Sequence, residues 1–402
     1  MKRTKIAAID VGTTKVCTIM ADTDGSSLPR ILGVGIVPSQ GLHKGLVVDF
    51  NEAKQSIRES VRKAEQVAGY KLESAYVGVT GRHISSVNNR GVIAITRNDR
   101  MVRPSDLKRV LEVARSINIP SEQELLHIIP RTYAVDGQDG VKNPVGMHGF
   151  RLDVETHIIS AAVTSVKNLT KCIRGIGVDI DDLILEPLAS AEAVLTAEEK
   201  EKGVMLADIG GGTTDIAVFK DNSIYHTSVL PVAGYQITRD ISVGLNLSFE
   251  LAEEMKKKYG NVMPTEKGSS EADMTLTEDG HAVSYRDLSE IVRVRVEELL
   301  RLIVMELPRD DYAKLIPLGL VLTGGTANLP GIAELGYEAT RLPIRIGTPI
   351  GLYGVSDVLC NPAYATSVGL LLWKGKKEEG IQNWQPKSGL NRFVSRIFGF
   401  FR

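Results

Sequence analysis

Two short stretches of this chain place an aspartate beside glycines and threonines, between apolar runs. They are Asp10–Lys15 (DVGTTK) and Asp208–Asp215 (DIGGGTTD). Glycines let backbone N–H groups approach phosphate oxygens because no Cβ stands in the way, and threonine hydroxyls are further donors. An aspartate at a strand end can hold Mg²⁺ through the waters that this ion keeps. One copy is typical of an ordinary turn, but two copies indicate a duplicated phosphate site.

The apolar runs around both stretches predict strands that form β-hairpins. Lys5–Ile9 and Val16–Met20 flank the first stretch, and Val204–Ala207 and Ile216–Phe219 flank the second. Mg²⁺ would be held through water by Asp10 and Asp208. The predicted phosphate-site residues are Asp10, Gly12, Thr13, Thr14, Lys15, Asp208, Gly210, Gly211, Gly212, Thr213 and Thr214. Gly211→Asp is expected to put a carboxylate against the phosphates.

The duplicated hairpin pattern resembles that of the actin/Hsp70/sugar-kinase superfamily. Four more segments resemble its adenosine loop, its two connecting helices and the ribose-contacting helix of bacterial actins: Leu322–Gly331, Glu186–Ala191, Asn361–Gly369 and Leu251–Gly260. The resemblance implies an actin-like α/β fold, with duplicated ribonuclease-H-like domains around a cleft that binds ATP and Mg²⁺. It also implies that Gly234, Glu253, Lys256, Gly324 and Gly325 contact the nucleotide, and that Glu186 and Asp208 orient water. Whether ATP is hydrolysed stays open, with a weak ATPase as the upper limit.

The region Gly81–Val163 predicts a compact α+β insert. Gly91–Thr96 reads as a strand, and Pro104–Ser116 as a helix with an apolar face. Leu125–Val135 and Thr156–Val163 predict further strands. We expect this insert to contact the next subunit of a filament.

Several phrases resemble the bacterial cell-division family FtsA along nearly the whole chain: Gly41–Asp49, His127–Pro130, Asn143–Met147 and Gly234–Ile241. The resemblance implies a protein that polymerises head to tail. It would hold the FtsZ ring to the cytoplasmic face of the cell membrane at the division site, and recruit downstream division proteins. The FtsZ C-terminal tail would dock within 233–302, near Arg293, Arg295 and Arg301, although a solvated helix face explains each arginine equally well.

The final segment, Gly389–Arg402, predicts an amphipathic helix that lies on a membrane. At 100° per residue its apolar side chains fall within an arc of about 160°. They are Leu390, Phe393, Val394, Ile397, Phe398, Phe400 and Phe401, and the arginines Arg392, Arg396 and Arg402 occupy the polar side. A terminal helix packed on its own core is the alternative.

The predicted domain organisation follows from these segments. A first actin-like subdomain covers 1–80, completed by 164–195 and 345–373, and an inserted subdomain covers 81–163. A second actin-like subdomain covers 196–232 and 303–344, a small subdomain 233–302, a linker 374–388 and the terminal helix 389–402.

Composition limits the remaining functions. The net charge of −1 argues against nucleic acid as a partner. Cys17, Cys172 and Cys360 are far apart, which fits a reducing cytoplasm and predicts no metal site. Two alternatives stay open: a small-molecule kinase of the same superfamily, and an actin-like adaptor of pilus assembly.

Overall fold

The computed structural model describes residues 3–24, 28–263, 274–276, 282–308, 312–354 and 357–378. The strands are β1 Thr4–Val11, β2 Lys15–Thr23, β3 Arg30–Pro38, β4 Leu42–His43, β5 Leu46–Val47, β6 Ser74–Val79, β7 Ile84–Ala94, β8 Gln123–Val135, β9 Gln138–Val141, β10 Arg151–Ala162, β11 Asp179–Leu185, β12 Val204–Ile209, β13 Thr214–Lys220, β14 Ser223–Leu230, β15 Met274–Leu276, β16 Ala282–Ser284, β17 Leu320–Thr323, β18 Ile344–Ile346 and β19 Tyr353–Gly354. The helices are α1 Phe50–Ala68, α2 Pro104–Arg115, α3 Val163–Arg174, α4 Glu186–Val194, α5 Ala197–Lys202, α6 Gly234–Gly244, α7 Phe249–Tyr259, α8 Tyr285–Met305, α9 Tyr312–Leu315, α10 Ile332–Thr340 and α11 Ala365–Glu378, with 3₁₀ turns at Gly325–Asn328, Asp357–Cys360 and Pro362–Tyr364.

Two sheets share one topology. In the first, β1, β2 and β3 form an antiparallel meander, and β6 and β11 extend it in parallel beyond β1. In the second, β12, β13 and β14 form the meander, and β17 and β18 extend it in parallel beyond β12. We call the units built on these sheets the first lobe and the second lobe. Each contains one of the predicted hairpins, which confirms the duplication read from the sequence.

Helices α4 and α11 lie in the apolar core shared by the two lobes. That core contains residues of β1 and β2, of β12 and β13, and of both helices. The helices approach closely at Gly369, where a Cβ would stand only 1.8 Å from the carbonyl oxygen of Ala189. Only glycine permits this approach, because real Cβ contacts do not fall below about 3 Å. The two predicted connecting helices therefore cross at the junction of the lobes.

The insert between β6 and α3 has its own sheet, in the order β7-β10-β8-β9. Helix α2 covers it, and Val110 and Ala114 are fully buried in its separate core. The predicted strands are present with shifted ends. β7 ends at Ala94, and β10 begins at Arg151 and ends at Ala162.

Helices α6, α7 and α8 make up most of the predicted small subdomain. Their buried side chains join those of β12, β13 and β17 in one continuous core. The described part of the small subdomain is therefore packed on the second lobe and shares its core.

Helix α11 runs to Glu378, so the first residues of the predicted linker at 374–388 are helical. Lysine and glutamate are good helix formers, and a single glycine at 375 costs only about 1 kcal/mol. Trp373 is 7% exposed and belongs to the core between the lobes. The rest of the linker and the predicted terminal helix at 389–402 lie outside the described residues. Among the residues described, no helix has the length and apolarity needed to cross a membrane.

Candidate functional site

Each hairpin turns over four residues and is closed by one backbone hydrogen bond. In the first, the N–H of Gly12 donates to the carbonyl of Lys15 at 3.0 Å. In the second, the N–H of Gly210 donates to the carbonyl of Thr213 at 2.9 Å. The two turns have the same length and the same closing bond. Lys15 and Thr213 are therefore structurally equivalent.

The strand register aligns the hairpins differently from their sequence letters. Asp10 lies opposite Cys17 on the neighbouring strand, and Asp208 lies opposite Asp215. Asp215 therefore occupies the place of Cys17. The Thr-Thr pairs that made the two sequences look alike are two positions out of register.

The tips of the hairpins face each other across the cleft between the lobes. A Cβ on Gly211 would lie 2.2 Å from Cγ2 of Thr14, and a Cβ on Gly212 would lie 2.5 Å from Oγ1 of Thr13. These glycines are thus needed because the threonines of the other hairpin pack on them. Gly211→Asp would first displace Thr14, so it would not isolate the effect of a carboxylate on phosphate.

Most of the predicted phosphate-site residues line one cavity of about 50 Å³ between the lobes. Four further lining residues were not predicted from the sequence: Thr80, Asp215, Ala363 and Thr366. The full lining is Asp10, Gly12, Thr13, Thr14, Lys15, Thr80, Glu186, Asp208, Gly210, Gly211, Gly212, Thr213, Asp215, Gly324, Gly325, Ala363 and Thr366. Thr214 is absent from it, because its hydroxyl donates to the carbonyl of Val232 at 2.7 Å.

Two of the missed residues had a signal in the sequence. Thr80 follows β6, which runs parallel to β1. Because the carboxyl ends of parallel strands meet at one edge of a sheet, the residue after β6 belongs at the site. Asp215 is the last residue of the stretch Asp208–Asp215, and the strand register places it opposite Asp208.

Four buried carboxyl groups meet in this cavity, contributed by Asp10, Glu186, Asp208 and Asp215. Burial raises the pKa of Glu186 well above its ordinary value, and the three aspartates raise it further. Burial also raises the pKa of Asp10 and of Asp208, and Lys15 opposes this rise in both. The site is therefore short of positive charge.

The pKa of Asp215 is also raised, and this carboxyl group connects the two lobes. Burial raises its pKa to about 7, against the opposing hydrogen bond from Thr80. The hydroxyls of Thr80 and Thr213 both donate to its carboxylate. Since Thr80 follows a strand of the first lobe, its bond to Asp215 crosses the cleft.

The connecting helices hold the two aspartates that were predicted near Mg²⁺. Ser367 Oγ on α11 donates to Asp10 Oδ2 at 2.6 Å. Ser190 Oγ on α4 and Thr366 Oγ1 on α11 donate to Asp208 Oδ2 at 2.5 and 2.9 Å. Within the described chain no three His, Cys, Asp or Glu side chains converge tightly enough to bind a metal directly. A divalent cation here would use water as a large part of its coordination shell, as Mg²⁺ does.

The residues predicted to contact the nucleoside form a connected group beside the second hairpin. The N–H of Gly234 donates to the carbonyl of Gly210 at 3.1 Å. Lys256 Nζ lies 2.6 Å from Glu253 Oε2 and donates to the carbonyl of Gly234 at 3.1 Å. The sequence therefore predicted a set of residues that the fold does bring together.

The three arginines predicted to meet the FtsZ tail lie on α8 and already have partners. Arg293 contacts Glu338 and the carbonyl of Val262, Arg295 contacts Asp240 and Glu298, and Arg301 contacts Glu297. An open groove of about 850 Å³ lies between α6 and α8, and Arg295 is part of its lining. Its lining includes Val243 and Val294, which are 77% and 62% exposed.

Two lobes of one topology, joined by crossing helices and closed by opposed hairpins, define an actin-like protein. Two solved structures share this fold. A PilM–PilN type IV pilus biogenesis complex aligns with TM-score 0.65 at 18% identity, covering 93% of this chain and 99% of that one. MreB5 of Spiroplasma citri bound to AMPPNP aligns with TM-score 0.56 at 13% identity, covering 94% and 98%.

Comparison of the sequence with known proteins identifies one family within this class. A family model described as "Cell division protein FtsA" matches residues 205–369, and one described as "SHS2 domain inserted in FTSA" matches 81–160. The FtsA protein of Pseudomonas aeruginosa is 42% identical, over 93% of this chain and 90% of that protein. The FtsA protein of Bacillus subtilis is 38% identical, over 90% of this chain and 82% of that protein. The FtsA protein of Escherichia coli K12 is 33% identical, over 92% of this chain and 90% of that protein. The chain belongs to the FtsA family of cell division proteins, and its role in division implies partners in the division machinery.

Proposed function

We propose that this protein binds ATP with Mg²⁺ in the cleft between its two hairpins. The observation that carries the proposal is the cavity that joins four buried carboxyl groups, Lys15 and two glycine-rich turns. Backbone N–H groups and Lys15 suit phosphate oxygens, and the carboxyl groups suit a hydrated divalent cation. The fold neighbour MreB5 was solved bound to AMPPNP, which supports a nucleotide as the ligand of this chain.

Binding would move the hairpin tips apart. The cavity of about 50 Å³ is small, because pockets for small molecules are typically about 300–1,000 Å³. Thr13 and Thr14 pack directly on the facing glycines, so they must withdraw to admit phosphates. The helices α4 and α11 are where such a movement would pivot.

Hydrolysis remains open within this proposal. Bound Mg²⁺ would neutralise charge on the phosphates. Glu186 begins α4 at the edge of the cavity, where its carboxylate could orient a water molecule. Its raised pKa favours the protonated form when no cation is present. The same residues serve equally well in a protein that holds ATP without turning it over.

We propose further that the protein forms head-to-tail polymers and anchors FtsZ to the cytoplasmic face of the membrane at the division site. Family membership over nine-tenths of the chain supports this role against the pilus adaptor, whose structure is similar at only 18% identity. The amphipathic pattern at 389–402 supports a lipid surface as the anchor, and the insert supplies a surface for the next subunit. The kinase alternative has no support from the family matches.

Membrane binding is tested with the full-length protein and anionic vesicles. Phe401→Glu places a charge at the centre of the apolar arc and should leave the protein in the supernatant after sedimentation. Ser395→Glu is the matched control, because it introduces the same charge on the polar side of the helix. This variant should lose less vesicle binding than Phe401→Glu. Arg396→Glu should weaken binding more at low salt than at high salt, because only the Coulomb attraction is screened. Equal sedimentation of Phe401→Glu and the parent would indicate a helix packed on the body.

The FtsZ tail is tested by pull-down with a synthetic tail peptide. We propose that it docks in the groove between α6 and α8, since Arg293, Arg295 and Arg301 are engaged in ion pairs while Val243 and Val294 are exposed. Val243→Glu should abolish capture. Val67→Glu changes a valine on α1 that is 58% exposed, against 77% for Val243, and should have no effect. Capture by Val243→Glu at the parent level would exclude the groove, and failure of the parent would exclude the proposed partner.

A further inference from the structure

Three buried hydroxyl groups connect the helices between the lobes to the carboxylates of the cleft. Ser190 and Ser367 are fully buried, and Thr366 is 6% exposed. Ser190 and Thr366 converge on a single oxygen, Oδ2 of Asp208, and their own oxygens lie 2.9 Å apart. Ser367 donates to the matching oxygen, Oδ2, of Asp10.

The placement of these hydroxyls follows from helix geometry. Ser190 is four residues after Glu186 on α4, so both side chains lie on the face of the helix that meets the cleft. Thr366 and Ser367 lie in the first turn of α11, where successive residues point in different directions. Thr366 therefore reaches the aspartate of the second lobe while Ser367 reaches the aspartate of the first. One helix turn thus contacts both lobes.

We propose that Ser190, Thr366 and Ser367 are positioning residues for the divalent cation, which orient Asp10 and Asp208 toward its hydration shell and tie both carboxylates to the crossing helices. Each hydroxyl donates to Oδ2, which leaves Oδ1 of both aspartates for the waters of the cation. A carboxylate with no such donor could rotate about its terminal bond, whose preferred angles are broad. The hydroxyls remove that freedom before the cation arrives.

The arrangement also links the cation to the angle between the lobes. Thr366 bonds to the second-lobe aspartate from a helix whose next residue bonds to the first-lobe aspartate. If a cation draws Asp10 and Asp208 together, helix α11 must therefore move with these two side chains. The close crossing at Gly369 and Ala189 transmits this displacement to α4.

The inference rests on the proposed binding of ATP with Mg²⁺ and is tested by titrating Mg²⁺. A fluorescent ATP analogue is bound to the full-length protein, first in EDTA and then at rising Mg²⁺ concentration. Ser190→Ala, Ser367→Ala and Thr366→Val should each raise the Mg²⁺ midpoint about tenfold, as the loss of a hydrogen bond to a charged group does. Affinity in EDTA should stay unchanged for Ser190→Ala and Ser367→Ala, because these two side chains lie outside the cavity lining and act only through the carboxylates that face the cation.

Two further variants separate positioning from stability. Thr366→Ser keeps the hydroxyl and should restore the parent midpoint. Thr18→Val removes a hydroxyl that is equally buried and bonded, to Ser60 at 2.8 Å, in the first lobe, and should leave the midpoint unchanged. If Thr366→Val fails to fold, Ser190→Ala and Ser367→Ala still test the proposal, each at a different aspartate.

The outcomes are distinguishable. A parent that responds to Mg²⁺, with unchanged midpoints in all three variants, would overturn this inference alone. An equal loss of affinity in EDTA and in Mg²⁺ would also overturn it, because the hydroxyls would then serve the fold. A parent that binds no nucleotide would overturn the proposed function and this inference together.

Discussion

The two hairpins have the same turn and the same closing hydrogen bond, but their charges differ. At the fourth position of the turn, the first hairpin has Lys15 and the second has Thr213. Two residues later, the first has Cys17 and the second has Asp215. Burial raises the pKa of Cys17 to about 12, with Asp10 adding to the rise, so that thiol is neutral at physiological pH.

This difference shows that duplication preserved the backbone of the site and divided its chemistry. The first lobe contributes the positively charged Lys15 and the threonine side chains that fill the cleft. The second lobe contributes glycines that receive those side chains and an additional carboxyl group. Substitutions at the hairpin tips, at the fourth turn position and at Asp215 test the comparison.

The largest effect is expected from the packing of the tips. Gly211→Ala would place its Cβ 2.2 Å from Cγ2 of Thr14. Overpacking of this kind lowers the free energy of unfolding by about 1–3 kcal/mol. Thr14→Ala in the same chain should recover much of the loss. Gly325→Ala is the matched control, because its nearest neighbour lies at 3.9 Å.

Urea denaturation measures these free energies. A double variant no more stable than Gly211→Ala alone would show that the two tips do not touch. A Gly325→Ala variant as unstable as Gly211→Ala would show that the loss is unrelated to the facing hairpin.

Substitutions at the equivalent turn position should differ in their effect on ATP affinity. Lys15→Gln removes a charged donor, and we expect affinity to fall about tenfold or more, as charge-assisted hydrogen bonds are worth about 1.5–3 kcal/mol. Thr213→Val removes a neutral donor and should cost about threefold. Isothermal titration calorimetry in saturating Mg²⁺ compares the two. Equal losses would mean that the hairpins bind phosphate in the same way.

The extra carboxyl group should make stability depend on pH. Asp215 has a higher pKa in the folded protein than in the unfolded chain, so the folded state binds its proton more tightly. The free energy of unfolding therefore falls as pH rises from about 4 to about 7 in the presence of a chelator. Asp215→Asn should be more stable than the parent by roughly 1–3 kcal/mol at pH 8, since one pKa unit corresponds to about 1.4 kcal/mol.

Thermal unfolding at pH 5 and pH 8 checks this sign. The stabilisation by Asp215→Asn should shrink toward pH 5. Cys17→Ala, at the equivalent position, should give a change that is the same at both pH values, because that thiol does not titrate in this range. An Asp215→Asn effect that grows at low pH would contradict the assignment.

The smallest effect is expected where the insert contacts the second lobe. His157 lies between Asn88 Oδ1 and Thr227 Oγ1, at 2.7 and 2.9 Å. Burial lowers its pKa to about 3, and His226, Arg131 and His127 add to the shift. The contribution of His157 to the free energy of unfolding should therefore fall as pH drops below about 6.5, by less than about 1 kcal/mol at pH 6.

His157→Gln should flatten this part of the pH profile, measured by thermal unfolding between pH 5.5 and 7.5. His226 also has a lowered pKa, so some slope should remain. A His157→Gln profile that runs parallel to the parent profile below pH 6.5 would contradict a neutral, buried His157.

Much of the fold was predictable because its signals are local. Apolar runs on either side of Asp–Gly turns predicted both hairpins, since strand and turn preferences act over a few residues. The resemblance of Glu186–Ala191 to a connecting helix of the superfamily predicted a helix there, and α4 begins at Glu186. The duplication needed only two such local patterns in one chain.

The sequence by itself therefore determined the two hairpins, the connecting helices and the family. Only the tertiary structure decided that Lys15 matches Thr213, that Asp215 joins the carboxyl groups of the cleft, and that hydroxyls at 190, 366 and 367 hold two of them. It also decided that Arg293, Arg295 and Arg301 on α8 have partners of their own. The physical reason is that hydrogen bonds, desolvation and charge coupling depend on which distant residues come within a few ångströms, and residue order does not record those distances.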